Sequence, residues 1–109
     1  MRAYELAVIL DGELEDHIAR GWSKTIAESV AANGGKLVGD PDWWGKKRFA
    51  YEIRKKTEGY YVFFNVLAPG SALDEVERSL RLADDVVRHK LIRLPDDEAA
   101  RRGMASSAA

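Results

Sequence analysis

Apolar and polar residues follow two different periods along the chain, and these periods predict strands and helices. Residues 3–10, AYELAVIL, are largely apolar on both faces at a period of two, which is typical of a central β-strand. From Leu14 to Val30 an apolar residue recurs at every fourth position, which predicts an amphipathic helix over residues 13–33 that ends at the sequence NGG. The chain is therefore predicted to begin with a strand followed by a helix.

The segment from residue 36 to residue 54 has an extended but interrupted pattern. Pro41 and Gly45 disfavour a regular central strand, so we expect an edge strand with a bulge or kink. Of its two adjacent tryptophans, we expect one to be buried by the fold and the other to be partly exposed. Alternation further along the same strand predicts that Phe49, Tyr51 and Ile53 face the helices.

The second half of the chain predicts three more elements. Residues 60–67, YYVFFNVL, are rich in aromatic and β-branched side chains, which strongly favours a strand. Ser71 is the candidate N-cap of a second helix that continues to about residue 83. Residues 86–94, VVRHKLIRL, mix apolar and basic positions and predict a last strand.

The predicted order β-α-β-β-α-β is that of the α+β ferredoxin-like fold. Right-handed crossovers place both helices on one face of a four-stranded antiparallel sheet and leave the other face bare. We expect this domain to cover residues 1–94. The tail, residues 95–109, has almost no apolar bulk and is expected to be disordered.

Composition narrows the possible functions. The chain has 109 residues, which suits one domain, and it has no cysteine, which excludes disulfides and thiolate metal sites. The net charge of −1 gives no overall basic field, so any binding of a polyanion must depend on a local patch. There is no apolar run long enough for a membrane span, and the cytoplasm is the expected compartment.

The residues expected of an enzyme are scarce. His17 and His89 are the two histidines, and neither has a partner of metal-ligand character three or four positions away. We find no nucleophile motif, zinc motif or phosphate-binding glycine loop. The sequence therefore predicts a protein that is not an enzyme and that needs no metal or cofactor.

Basic residues cluster in two segments. The first comprises Lys46, Lys47, Arg48, Arg54, Lys55 and Lys56, and the second comprises Arg78, Arg81, Arg88, Lys90 and Arg93, with Arg2 at the start of the chain. With the neighbouring aromatic residues they could form a strip that contacts nucleic-acid phosphates. The alternative is a solvated edge whose charges only prevent aggregation.

Two functions of different classes fit this pattern. One is a structural protein that binds nucleic acid, and the other is a small-molecule-binding or regulatory module that forms a homodimer through the bare sheet face. The basic residues favour the first, because a small-molecule sensor does not need them.

Four motifs in order resemble the bacterial small-subunit ribosomal protein S six family. They are MRAYEL at the start, WGKKRFAYEI after a GGK, EGYYVF, and LRLADDVVRHKLIR. The resemblance covers about residues 1–94. The family has the ferredoxin-like fold and is often near neutral or acidic.

The resemblance implies that the chain pairs with ribosomal protein S eighteen and that the heterodimer binds the central domain of small-subunit ribosomal RNA. It also implies that the edge strand over residues 36–51 is a candidate surface for the partner protein. The candidate contact residues for RNA or partner are Arg2, Tyr4, Lys46, Lys47, Arg48, Arg81, Arg88 and Lys90, to which the basic segment adds Arg54.

Overall fold

The structure, a computed structural model, describes residues 1–104 of the chain. Along these residues five strands and three helices follow one another. In chain order they are β1 (Arg2–Asp11), α1 (Asp16–Ala32), β2 (Lys36–Leu37), β3 (Asp42–Ile53), β4 (Lys56–Ala68), α2 (Asp74–Leu82), β5 (Val86–Arg93) and α3 (Asp96–Arg101).

The strands form one antiparallel sheet with β1 and β4 at its centre. β5 pairs with the outer side of β1, while β2 and β3 both pair with the outer side of β4. β2 meets only the end of β4, through Leu37 and Val66, and β3 meets the rest of it. Together β2 and β3 occupy the place of one interrupted edge strand. The ferredoxin-like fold and the interrupted edge are thus confirmed.

β3 contains a bulge at Trp44, and its two tryptophans lie on opposite faces of the sheet. Trp43 and Gly45 pair with successive residues of β4, so Trp44 is an extra residue, and Gly45 has φ 81°. Trp43 is half-buried and stacks on Tyr60 at 5.6 Å between ring centroids. Trp44 is 53% exposed and its ring lies 4.7 Å from that of Phe63.

The same bulge overturns the prediction that Phe49 and Tyr51 face the helices. An extra residue inverts the alternation of the strand beyond it. Lys46 therefore lies over the ring of Tyr60 on the helix side, and Phe49 contacts Tyr61 on the opposite side, at 6.1 Å between centroids. Tyr51 is 71% exposed.

The main core lies between the sheet and the two long helices. Its most deeply buried side chains come from β1, β4, α1 and α2, and they include Leu6, Leu10, Val62, Phe64, Ile26 and Val76. Ser71 is not the N-cap of α2: that position is Leu73, and the Ser71 carbonyl oxygen accepts a hydrogen bond from the Asp74 N–H at 3.2 Å in the turn before the helix.

The segment after Pro95 is not a disordered tail as far as residue 104. It forms α3, and Ala99 and Met104 are buried in a small second core that also includes Leu67. α3 packs on the face of the sheet opposite α1 and α2, so that face is covered at one end. The sequence prediction failed because one methionine and one alanine suffice where the sheet already presents apolar side chains. Residues 105–109 of the predicted tail lie outside the described residues.

Candidate nucleic-acid and partner interface

The sheet face opposite α1 and α2 is called the open face here, and it carries a band of apolar side chains. Strand register places Tyr61 beside Ile9 and Phe63 beside Ala7. All four are half-buried, and they remain partly open to solvent because α3 covers only the far end of the face. Partly exposed aromatic rings of this kind can stack on bases or pack against a protein.

Two cations of β5 border this apolar band. Arg88 pairs with Ile9 and Lys90 pairs with Ala7, so both side chains point to the open face. Both are exposed, and neither forms an ion pair with a residue of the described chain 1–104. They can therefore meet an external anion without first breaking an internal contact.

The three cations of β3 divide between the two faces. Lys47 lies opposite Gly59 and faces the open side, while Lys46 and Arg48 face the helix side. Lys46 lies 5.3 Å from the centre of the Tyr60 ring and 4.0 Å from the Glu58 carboxylate. All three cations are exposed, but no single flat surface can contact all of them.

Two other cations of the first basic segment have structural roles. Arg54 begins the two-residue turn between β3 and β4 at φ 52°, and its guanidinium donates to the carbonyl oxygens of Val86 and Val87 at 3.4 and 3.2 Å. Lys56 bridges the carboxylates of Asp11 and Glu13 at 3.1 and 3.0 Å. The turn is thereby tied to the start of β5.

The remaining candidate residues do not join the open face. Arg2 is exposed at the start of β1, and Arg81 is exposed in the last turn of α2, on the opposite side of the sheet. Tyr4 is only 7% exposed, and its hydroxyl donates to the Gly70 carbonyl oxygen at 3.3 Å. Its side chain belongs to the core, so the structure gives Tyr4 a role in the fold, and its contact with RNA or partner stays a prediction.

The cations on the open face lie at two edges and not in one strip. Lys47 is on β3, and Arg88 and Lys90 are on β5, with β4 and β1 between them. Three strand spacings separate these edges by roughly 14 Å. The arrangement can hold a backbone phosphate at either edge and bases or apolar side chains between them.

A polar cluster at the end of the open face was not predicted from the sequence. Arg102, just after α3, donates to the carboxylates of Glu5 and Glu98 at 2.6 and 2.8 Å and to the Asn65 side-chain oxygen at 3.2 Å. Hydrogen bonds from Arg102 and from Arg101 hold the pKa of Glu98 below its usual range. Glu98 and Glu5 raise the pKa of Arg102. The only signal in the sequence was an Arg four residues after a Glu.

Within residues 1–104 no group of three potential metal ligands occurs, and no helix is long and apolar enough to cross a membrane. His89 lies 3.3 Å from the Glu77 carboxylate, between β5 and α2. His17 is exposed on α1.

Comparison with known proteins agrees with the fold and the motifs. The family model described as "Ribosomal protein S6" matches residues 3–93. The small ribosomal subunit protein bS6 of Carboxydothermus hydrogenoformans is 43% identical over 93 residues, which are 85% of this chain and 96% of the relative. The bS6 protein of Beutenbergia cavernae is 44% identical over 97 residues, covering 88% of this chain and 98% of the relative.

A solved structure is similar as well. The crystal structure of 30S ribosomal protein S6 from Thermotoga maritima superimposes with a TM-score of 0.78 at 28% identity, over 94% of this chain and 95% of the other. With the sequence matches, it defines the class of this protein: a structural component of the small ribosomal subunit, and not an enzyme. Within that class, the chain belongs to the ribosomal protein S6 family. As a component of the ribosome, it is located in the cytoplasm.

Proposed function

We propose that the chain binds the central domain of small-subunit ribosomal RNA as a heterodimer with ribosomal protein S eighteen. The observation that supports RNA binding is that Arg88 and Lys90 are both exposed beside the apolar band of the open face. Family membership favours this function over a homodimeric small-molecule module.

Charge explains why a second protein is needed. The chain as a whole carries a net charge of −1, and only a few of its cations are exposed on one face. Each phosphate contact on single-stranded RNA contributes about 0.7 to the slope of log affinity against log salt, so a few contacts give weak binding at physiological salt. A partner that supplies further contacts within the same complex raises the affinity sharply.

The edge strand β3 is the proposed surface for the partner protein. It pairs with β4 on one side only, so its other side has backbone groups available to a partner. Its exposed Trp44 and Lys47 lie on the open face, next to the band that would contact RNA. Protein and RNA can then be bound side by side.

The test is filter binding of a central-domain RNA fragment to the chain alone, to the partner alone and to both together, at two salt concentrations. We expect weak binding by the chain alone and much tighter binding by the pair. In the variant Arg88→Ala/Lys90→Ala, the salt slope of the pair should fall by about 1.4, because two contacts are lost.

A matched control is Lys24→Ala/Arg78→Ala, which also removes two exposed cations but on the helix side. It should leave the salt slope unchanged. Nanomolar binding by the chain alone at physiological salt would contradict the need for a partner. Equal slopes for wild type and Arg88→Ala/Lys90→Ala would contradict the assigned RNA surface.

A further inference from the structure

A cavity of about 420 Å³ opens at the corner where the start of β3 meets α3 on the open face. Its lining is acidic and aromatic. It is lined by the carboxylates of Glu5, Asp40 and Asp42, the guanidinium of Arg102, the amide of Asn65, and the rings of Trp44 and Phe63.

The aromatic and acidic groups of this cavity are held in a fixed relation. The Trp44 indole N–H donates to the Asp42 carboxylate at 3.0 Å, and the Trp44 ring rests against Phe63 at 4.7 Å. An aromatic face beside a carboxylate is a combination that binds a guanidinium or an ammonium group, through the ring quadrupole and an ion pair.

Two of the carboxylates have no cation of their own. Among residues 1–104, no Lys, Arg or His nitrogen lies within 4.0 Å of Asp40 or Asp42. Glu5, in contrast, is paired with Arg102 at 2.6 Å. The cavity thus already holds one arginine from its own chain and has negative charge left for a second cation.

From this geometry we infer that the cavity binds an arginine or lysine side chain of a protein partner. The negative lining repels phosphate, so an RNA segment is not the occupant. The inference rests on the proposed function, since it names the chemistry by which the partner protein engages the β3 end of the open face. RNA is left with the rest of the open face, which includes Arg88 and Lys90 on β5 and Lys47 on β3.

The direct test is an NMR titration of the full-length chain with an acetylated Gly-Arg-Gly-Arg-Gly peptide, followed at the Trp44 indole N–H. That resonance is assigned by its loss in Trp44→Phe. We expect a saturable shift with the arginine peptide and none with the same peptide carrying citrulline, which keeps the shape without the charge. In Asp40→Asn/Asp42→Asn, binding should weaken at least about fivefold.

The matched control is Glu28→Gln/Asp84→Asn, which changes the net charge equally at two exposed sites away from the cavity. It should bind the peptide as wild type does. Circular dichroism of both variants checks the fold, and both should remain folded because all four side chains are exposed. No shift with the arginine peptide, or an equal shift with an RNA oligonucleotide, would overturn the inference.

The affinity for the partner protein separates this inference from the proposed function. We expect Asp40→Asn/Asp42→Asn to bind the partner at least about fivefold more weakly than the control variant does. Equal partner affinities for the two variants would overturn the cavity's role while the heterodimer stands. If wild type does not bind the partner at all, the proposed function fails, and so does the inference that rests on it.

Discussion

Arg102 and Glu5 are separated by 97 positions in the chain, yet the guanidinium Nη1 lies 2.6 Å from the carboxylate Oε1. Glu5 is on the central strand β1 and Arg102 is just beyond α3, so this contact fastens the end of the described chain across the open face. Met104, 1% exposed, is buried directly after it. The ion pair and the small second core therefore hold α3 against the open face of the sheet.

The first prediction concerns this contact. Arg102→Gln should lower the free energy of unfolding by about 1 kcal/mol, a value kept small because the side chain is partly solvated. Arg101→Gln is the matched control, since Arg101 is 65% exposed and, within residues 1–104, pairs only with nearby acids of α3. It should change stability by less than about 0.5 kcal/mol. Urea denaturation of the two variants provides the comparison, and equal midpoints would contradict the role of Arg102.

The second prediction is a pH dependence at Glu98. Because Arg102 and Arg101 lower its pKa in the folded chain below the ordinary 4.5, ionised Glu98 stabilises the fold above that value. This contribution is lost as the pH falls through the lower, folded pKa. Glu98→Gln should therefore be less stable than wild type at pH 7, and the difference should shrink steadily as the pH falls below 4.5.

The measurement is the urea midpoint of wild type and Glu98→Gln over this pH range. Asp97→Asn is the control, because Asp97 is 75% exposed and 3.7 Å from its only ion-pair partner in the described chain, Arg101. Its difference from wild type should stay small at every pH. A difference for Glu98→Gln that is as large at pH 3 as at pH 7 would show that the carboxylate charge is not the cause.

The third prediction compares two tyrosines. Tyr60 is 4% exposed and its hydroxyl donates to the Leu14 carbonyl oxygen at 2.9 Å, whereas Tyr51 is 71% exposed. Tyr60→Ala should destabilise the chain by about 3–5 kcal/mol, and Tyr51→Ala by less than about 0.5 kcal/mol. Thermal unfolding distinguishes them, and a large loss in Tyr51→Ala would mean that β3 packs differently beyond its bulge.

The sequence predicted the order of the major elements because their periods are strong. The apolar run of β1 and the four-residue repeat of α1 both specify a buried side without reference to the rest of the chain. Family motifs then supported the ribosomal role. What period alone could not decide was the face of each β3 residue, since one extra residue at Trp44 inverts the alternation from Lys46 onward.

The candidate site was predicted less well than the fold, because a sequence shows that a residue is charged but not which way its side chain points. Arg54 and Lys56 looked equivalent to Lys47, but their side chains contact carbonyl oxygens and carboxylates of the same chain. Tyr4 looked like a contact residue and is part of the core. The cluster around Arg102 depends on a contact with β1 that no local pattern shows.

The last prediction concerns the three cations of β3. Replacing Lys46, Lys47 and Arg48 together with Ala should leave the fold intact, because all three are exposed on an edge strand. Incorporation into small-subunit particles should weaken. Since the three side chains divide between two faces, RNA on the open face can contact Lys47 but not all three.

Two quantities decide where these cations act: the affinity for the partner protein without RNA, and the salt slope of RNA binding with the partner saturating. If only Lys47 touches RNA, the slope should fall by about 0.7 and not by three times that amount. The variant Lys47→Ala alone should then reproduce the full change in slope. Partner affinity should drop in the triple variant, because all three exposed cations lie on β3, the strand proposed to dock the partner. Wild-type values for both quantities would mean that the cations only keep a solvated edge from aggregating, and that β3 is not a docking surface.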